Sequence, residues 1–185
     1  MKFRITEDHI GDVLQFRNAL MHLNERGADQ LHGWVLNYLE LNKWTIIVSN
    51  CLIDEEYHLK QAQGFDEEGK DIVAMPPDRN DCYTVFLKKG NLIGSILFGD
   101  DGLYRQMELS LLHDLGDARV QDLPRSLIVV HNGLEKNNVT VTQFDRYRRR
   151  LEMRAEELKI LSSPCERWNL NEIAKLLHPQ SDIIL

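Results

Sequence analysis

Residues whose types and spacing could do chemistry gather in four places. An apolar run ends in His131-Asn132-Gly133, and Thr142 and Asp145 follow a polar loop. Histidine and carboxylate donors of this kind hold zinc, which needs about three protein ligands plus a water in a catalytic site. Arg17 precedes His22 by five positions. Arginine and histidine are residue types that can stabilise charge and move protons. Arg146, Arg148, Arg149, Arg150 and Arg154 form a basic run suited to phosphate or carboxylate recognition. Glu55-x-x-His58 could share a metal on one helical face, but such sites need a second pair and two more glutamates, and no second pair exists.

These patterns also have plain structural explanations. Thr142-x-x-Asp145 stands ahead of an apolar stripe of Phe144, Tyr147, Leu151, Ala155 and Leu158, so it reads as a capping box. On a helix turning about 100° per residue, Arg148 lies beside that stripe and Arg154 flanks its other side. Arg146, Arg149 and Arg150 face away. Arg148 with Glu152, and Arg154 with Glu157, have the spacing of helical ion pairs.

The elements that must position these residues follow from periodicity. Thr6 caps a first helix with Val13, Phe16, Leu20 and Leu23 inward. Leu31, Trp34, Val35, Tyr38 and Leu39 mark a second helix, giving a helical pair over 6–43. Thr45 to Ile53 reads as a buried strand. An acidic excursion over 54–81 carries nine acids against three basic residues, a net of −6, with one short strand expected at Asp71–Ala74. Cys82–Lys88 and Leu92–Phe98 flank Lys89-Gly90-Asn91 and predict a hairpin over 82–98. A helix is expected from Tyr104 to Gly116, a strand over 126–131 and a long helix over 142–161. Asn169 caps a last short helix with Leu170, Ile173, Ala174 and Leu177 inward.

The predicted fold is α+β: a small, mainly antiparallel sheet, an N-terminal helical pair, one long amphipathic helix and a short C-terminal helix. A single domain covers 1–162, and 163–185 is a helical appendage. No Gly-rich phosphate loop follows a strand, which disfavours a doubly wound nucleotide-binding fold.

Two short stretches resemble known families. The strand into His131, then Thr142 and Asp145, resembles the metal site of RadC-like and other JAMM (MPN) metallopeptidase-fold proteins. That resemblance covers at most Tyr83–Leu158 and implies His131 as first histidine, Thr142 as the serine and Asp145 as the aspartate. Gly133 stands where the second histidine would be, so it implies an inactive relative. Arg17 to His22 resembles the RNase motif of HEPN domains, although only 16 residues precede it and a strand-rich chain follows.

Bulk properties narrow the function. A chain of 185 residues with 43% hydrophobic and 28% charged residues can bury a core without disulfides or metals. Three distant cysteines, Cys51, Cys82 and Cys165, are expected to be free thiols. No secretory leader is expected at the start and no membrane span anywhere. A net charge of −7 disfavours non-specific nucleic-acid binding, although Arg146 to Arg154 carries a local +4. The expectation is a cytoplasmic, non-enzymatic interaction protein without cofactor or metal: an adaptor, an inhibitor or a small subunit. It would use separated acidic and basic surfaces toward a protein partner, with Arg146, Arg149, Arg150 and Trp168 as binding residues. The alternative is an enzyme or degenerate relative acting through Arg17/His22 or His131/Asp145.

Overall fold

The computed structural model describes residues 17, 27–49, 71–77, 81–100, 102–112, 117–133, 138–160 and 164–177. The first predicted helix (Arg17 apart), His22, most of the acidic excursion and Glu55-x-x-His58 lie outside them.

The described chain runs α1 (Gly27–Leu41), β1 (Thr45–Ser49), β2 (Ile72–Met75), β3 (Cys82–Lys88), α2 (Gly94–Phe98), α3 (Leu103–Leu112), β4 (Arg125–His131), α4 (Asn138–Glu157), β5 (Glu166–Trp168) and α5 (Leu170–Leu177). The fold is α+β. Its sheet has the order β1-β2-β3-β4-β5. The first two pairings are antiparallel; β3 with β4, and β4 with β5, are parallel. The sheet is therefore mixed, with helices in both parallel crossovers.

Side-chain alternation along β3 and β4 divides the core into layers. Tyr83, Val85, Ile128 and Val130 pack against Leu31, Val35, Leu39, Leu170 and Ile173 of α1 and α5. Phe86, Leu127 and Val129 face the other way, onto Met107 and Leu111 of α3 and Phe144 and Leu151 of α4. Both faces of the parallel part are covered, which explains why β4 is buried at every position. Burying a side chain such as Phe86 contributes about 1.5–3 kcal/mol.

The hairpin expected over 82–98 is corrected. β3 pairs with β2 and β4 on its two sides, so no edge is left for Leu92–Phe98. That run instead turns into α2 at Gly94, with only Leu97 of the helix fully buried. The long helix begins at Asn138, four residues before Thr142, so the Thr142/Asp145 capping box is corrected as well. Thr142 is an exposed residue inside the helix. A capping box does form at α5. Asn169 Oδ1 accepts the Asn171 and Glu172 amides, while Glu172 Oε2 accepts the Asn169 amide at 2.6 Å.

α1 and α4 end alike. Trp44 N–H reaches back to Leu39 O, and Ile160 N–H to Ala155 O, with Lys43 (φ 61°) and Lys159 (φ 57°) in the left-handed region. The first of these ends delivers Trp44 onto the sheet. Arg125, buried at the start of β4, donates to Ser110 O and Leu111 O and so closes the end of α3.

Candidate functional site

α4 carries the densest set of candidate residues. Arg146, Arg149 and Arg150 are exposed and share its outer face. Among the described residues, Arg146 and Arg149 make no hydrogen bond or ion pair. The Arg150 guanidinium lies 5.8 Å from the Tyr147 ring centroid. Tyr147 in turn meets Phe98 at 4.9 Å and Tyr104 at 4.6 Å between centroids. Met153, Leu158 and Leu112 are also exposed nearby on α3, α4 and the turn that follows α4. The outer side of this helical layer thus combines arginine, aromatic and apolar side chains.

The other arginines of the run are structural. Arg148 ion-pairs with Glu152 at 3.7 Å and donates to Cys165 O at 3.0 Å. Glu152 accepts the Cys165 amide at 2.7 Å. Arg154 pairs with Glu108 of α3 at 3.4 Å, where the sequence suggested Glu157; a neighbouring helix outcompetes the local partner.

Of the metal and RNase readings, His131, Thr142, Asp145 and Arg17 are described and His22 is not. His131 ends β4 and is fully buried. The Asp145 carboxylate is engaged by Arg167 at 3.3 Å and Arg148 at 4.0 Å. Both guanidiniums reach Oδ1, one of the two oxygens a metal would need. Among the described residues no group of three His, Cys, Asp or Glu side chains could hold a metal ion. Arg17 donates to Asn171 Oδ1 of α5 at 2.8 Å. Trp168 is half-buried on β5, edge-on to Tyr38.

A second cluster was not read from the sequence. It sits at the carboxyl ends of β3 and β4, where crevices between parallel strands collect ligands. Lys88 is in register with His131 and donates to Gln106 of α3 at 2.9 Å. Asp71 accepts the Leu87 amide at 2.6 Å. Burial pushes the Asp71 carboxyl up to about 6, against opposing effects of that hydrogen bond and of the Lys88 charge. A cleft of about 530 Å³ opens here between Lys88, Lys89, Ser95 and Asp100. The loops after the same two strands approach tightly: Asn132 Oδ1 accepts the Gly90 amide at 2.6 Å. A Cβ at Gly133 would run into the backbone of Gly90 and Asn91. The signal in the sequence was faint, because Asp71 and Lys88 are joined only through β2–β3 pairing.

Cys82 and Cys165 are buried free thiols, each pushed up to about 12, chiefly by burial. They are poor nucleophiles at neutral pH. No described helix is long and apolar enough to cross a membrane. No protein-family model, no curated protein and no solved structure matches the chain.

Proposed function

We propose that the chain is a non-enzymatic, cytoplasmic interaction protein whose docking face is the outer side of α4 with the adjoining edge of α3. The observation that carries this reading is the exposed set Arg146, Arg149 and Arg150 beside the aromatic contacts of Tyr147. Arginine, aromatic and methionine side chains are those enriched in protein interfaces. An exposed guanidinium without an internal partner keeps its donors for a carboxylate of another surface. The partner is accordingly a protein with an acidic patch, and the net charge of −7 disfavours a bare polyanion.

The test is the triple variant Arg146→Glu/Arg149→Glu/Arg150→Glu in a native pull-down from its own cells, with a thermal unfolding control. The expected result is a partner lost from the variant, weakened by salt in the wild type, with unfolding within about 1 kcal/mol of wild type. Partner recovery equal to wild type removes the reading.

A second reading, an enzyme acting on an anionic substrate, is favoured by the cleft at Lys88. Lys88 and Lys89 line that cleft and would hold the anion, and Asp71, which feels the Lys88 charge from outside the lining, would exchange a proton through it. Turnover of an aryl phosphate or an oligonucleotide, lost in Asp71→Asn, would support it. Equal rates in the two proteins would remove it.

A further inference from the structure

The opposite face of the sheet carries a cavity of about 310 Å³ lined by four aromatic side chains, Tyr38, Trp44, Tyr83 and Trp168, together with Pro76 and Glu166. The rings come as two edge-to-face pairs. Tyr38 and Trp168 lie 6.0 Å apart at 85°, and Trp44 and Tyr83 lie 5.0 Å apart at 70°. Planes set nearly at right angles make the walls of a box rather than a stack. Tyr83 is buried, whereas Tyr38, Trp44 and Trp168 remain half-buried. Half-exposed tryptophans and tyrosines around a cavity leave ring surface uncovered by the core.

The charge at this cavity has one sign. Glu166 Oε2 accepts the Trp168 indole N–H at 2.9 Å, which fixes the ring and holds the carboxylate at the rim. The same carboxylate, after burial, helps raise the Tyr38 phenol above its ordinary value, so its field reaches the cavity. None of the described lining residues is cationic. Ring faces attract cations through their quadrupoles, and the attraction is strongest for cations whose hydration shell is already weak. A carboxylate at the rim adds charge complementarity. Neutral apolar ligands would gain from the rings but nothing from Glu166.

The geometry points to a binding site for a quaternary ammonium group, held by Tyr38, Trp44, Tyr83 and Trp168 with Glu166 as its counter-charge. Methyl groups fill the space between the rings, and the spread positive charge needs no hydrogen-bond acceptor. A primary ammonium is the poorer ligand, because its three donors would lose more water than one carboxylate replaces. Such a group could come as a small choline-type cation or as a trimethylated lysine on a peptide.

The full chain should be titrated with choline, with its neutral carbon isostere 3,3-dimethylbutan-1-ol, and with a short peptide carrying trimethyl-lysine or unmodified lysine. Tryptophan fluorescence and the indole NMR signals report occupancy. The expected result is saturable choline or trimethyl-lysine binding at least about tenfold tighter than the isostere or the unmodified peptide, a ratio worth about 1.4 kcal/mol. Glu166→Gln should weaken it about three- to tenfold, and Trp168→Leu should abolish it. Tight binding of the methylated peptide with weak choline binding identifies a macromolecular source; tight choline binding identifies a small molecule. Glu166 is exposed, so its variant still decides the matter if Trp168→Leu fails to fold. Equal affinity for the isostere, indifference to Glu166→Gln, or no saturation with either cation overturns the assignment.

Discussion

Two buried titratable groups pull the stability of the fold in opposite directions over one pH range. His32 on α1 bonds Ser49 of β1 at 2.9 Å, and burial lowers its imidazole to about 4. The unfolded chain takes up that proton nearer pH 6.5. Stability from a neutral His32 is thus present above about pH 6.5 and is lost as pH falls toward 4. Asp71 has the opposite sign. Burial raises it from 3.8 to about 6, so the folded state holds the proton that the unfolded state has released. Its effect favours folding at low pH and fades as pH rises from about 4 to 6. Asp71 offsets part of the His32 effect in that window, at about 3 kcal/mol for His32 and about 1–2 for the partly exposed Asp71. Thermal unfolding from pH 4 to 8 should be shallow in the wild type. Asp71→Asn should steepen the acid loss, and His32→Gln should leave stability that falls from pH 4 to 6. Variant profiles parallel to the wild type would refute both assignments.

At the scale of elements, the turn after β4 explains the departure from the metallopeptidase pattern. Gly133 stands where a second histidine would be required, and no side chain fits there, because a Cβ meets the Gly90 and Asn91 backbone. Gly90 itself has φ 79°, a conformation glycine adopts without strain. Gly133→Ala should therefore cost about 2 kcal/mol or more, and Gly133→His more still, measured as urea midpoints. A midpoint within error of wild type would show that the loops can part freely. Elements with long apolar periods were legible in the sequence: β4, α4 and α5 all lie close to where their stripes placed them. Others were not, for physical reasons. Leu92–Phe98 has strand-like composition, yet the parallel β4 had already taken the edge it would need. β5 is only three residues, Glu166, Arg167 and Trp168, too short and polar for alternation to mark it. The left-handed ends at Lys43 and Lys159 lacked the glycine that usually signals them. The arginine face was legible because one helix carries it. Asp71 with Lys88, and the ring of Tyr38, Trp44, Tyr83 and Trp168, were not, because strand register alone assembles them.

Taken as a whole, the molecule joins its two sheet faces through β5, a strand of 3 residues. Among the described strands, β5 lies at the edge of the sheet and pairs with β4 alone. Its side chains serve both layers: Arg167 points to α4, where it meets Asp145 and lies 5.1 Å from the Phe144 ring centroid, while Trp168 packs toward α1. The segment entering it is held at Cys165 by Arg148 and Glu152, which bind its carbonyl and its amide. α4 therefore fixes the strand that carries Glu166 and Trp168, although those two residues line a cavity on the far face. Arg148→Met keeps the apolar stem and removes the guanidinium, taking away the hydrogen bond to Cys165 O and the ion pairs to Asp145 and Glu152. The expected cost is about 1–3 kcal/mol, concentrated at β5 rather than spread over the fold. Hydrogen exchange should quicken at the Glu166 to Trp168 amides while the β3 and β4 amides keep their protection. The Trp168 indole signal should broaden in parallel, and any ligand of the aromatic cavity should bind the variant more weakly. Uniform loss of protection across the sheet would mean that α4 supports the whole core and has no special hold on its edge.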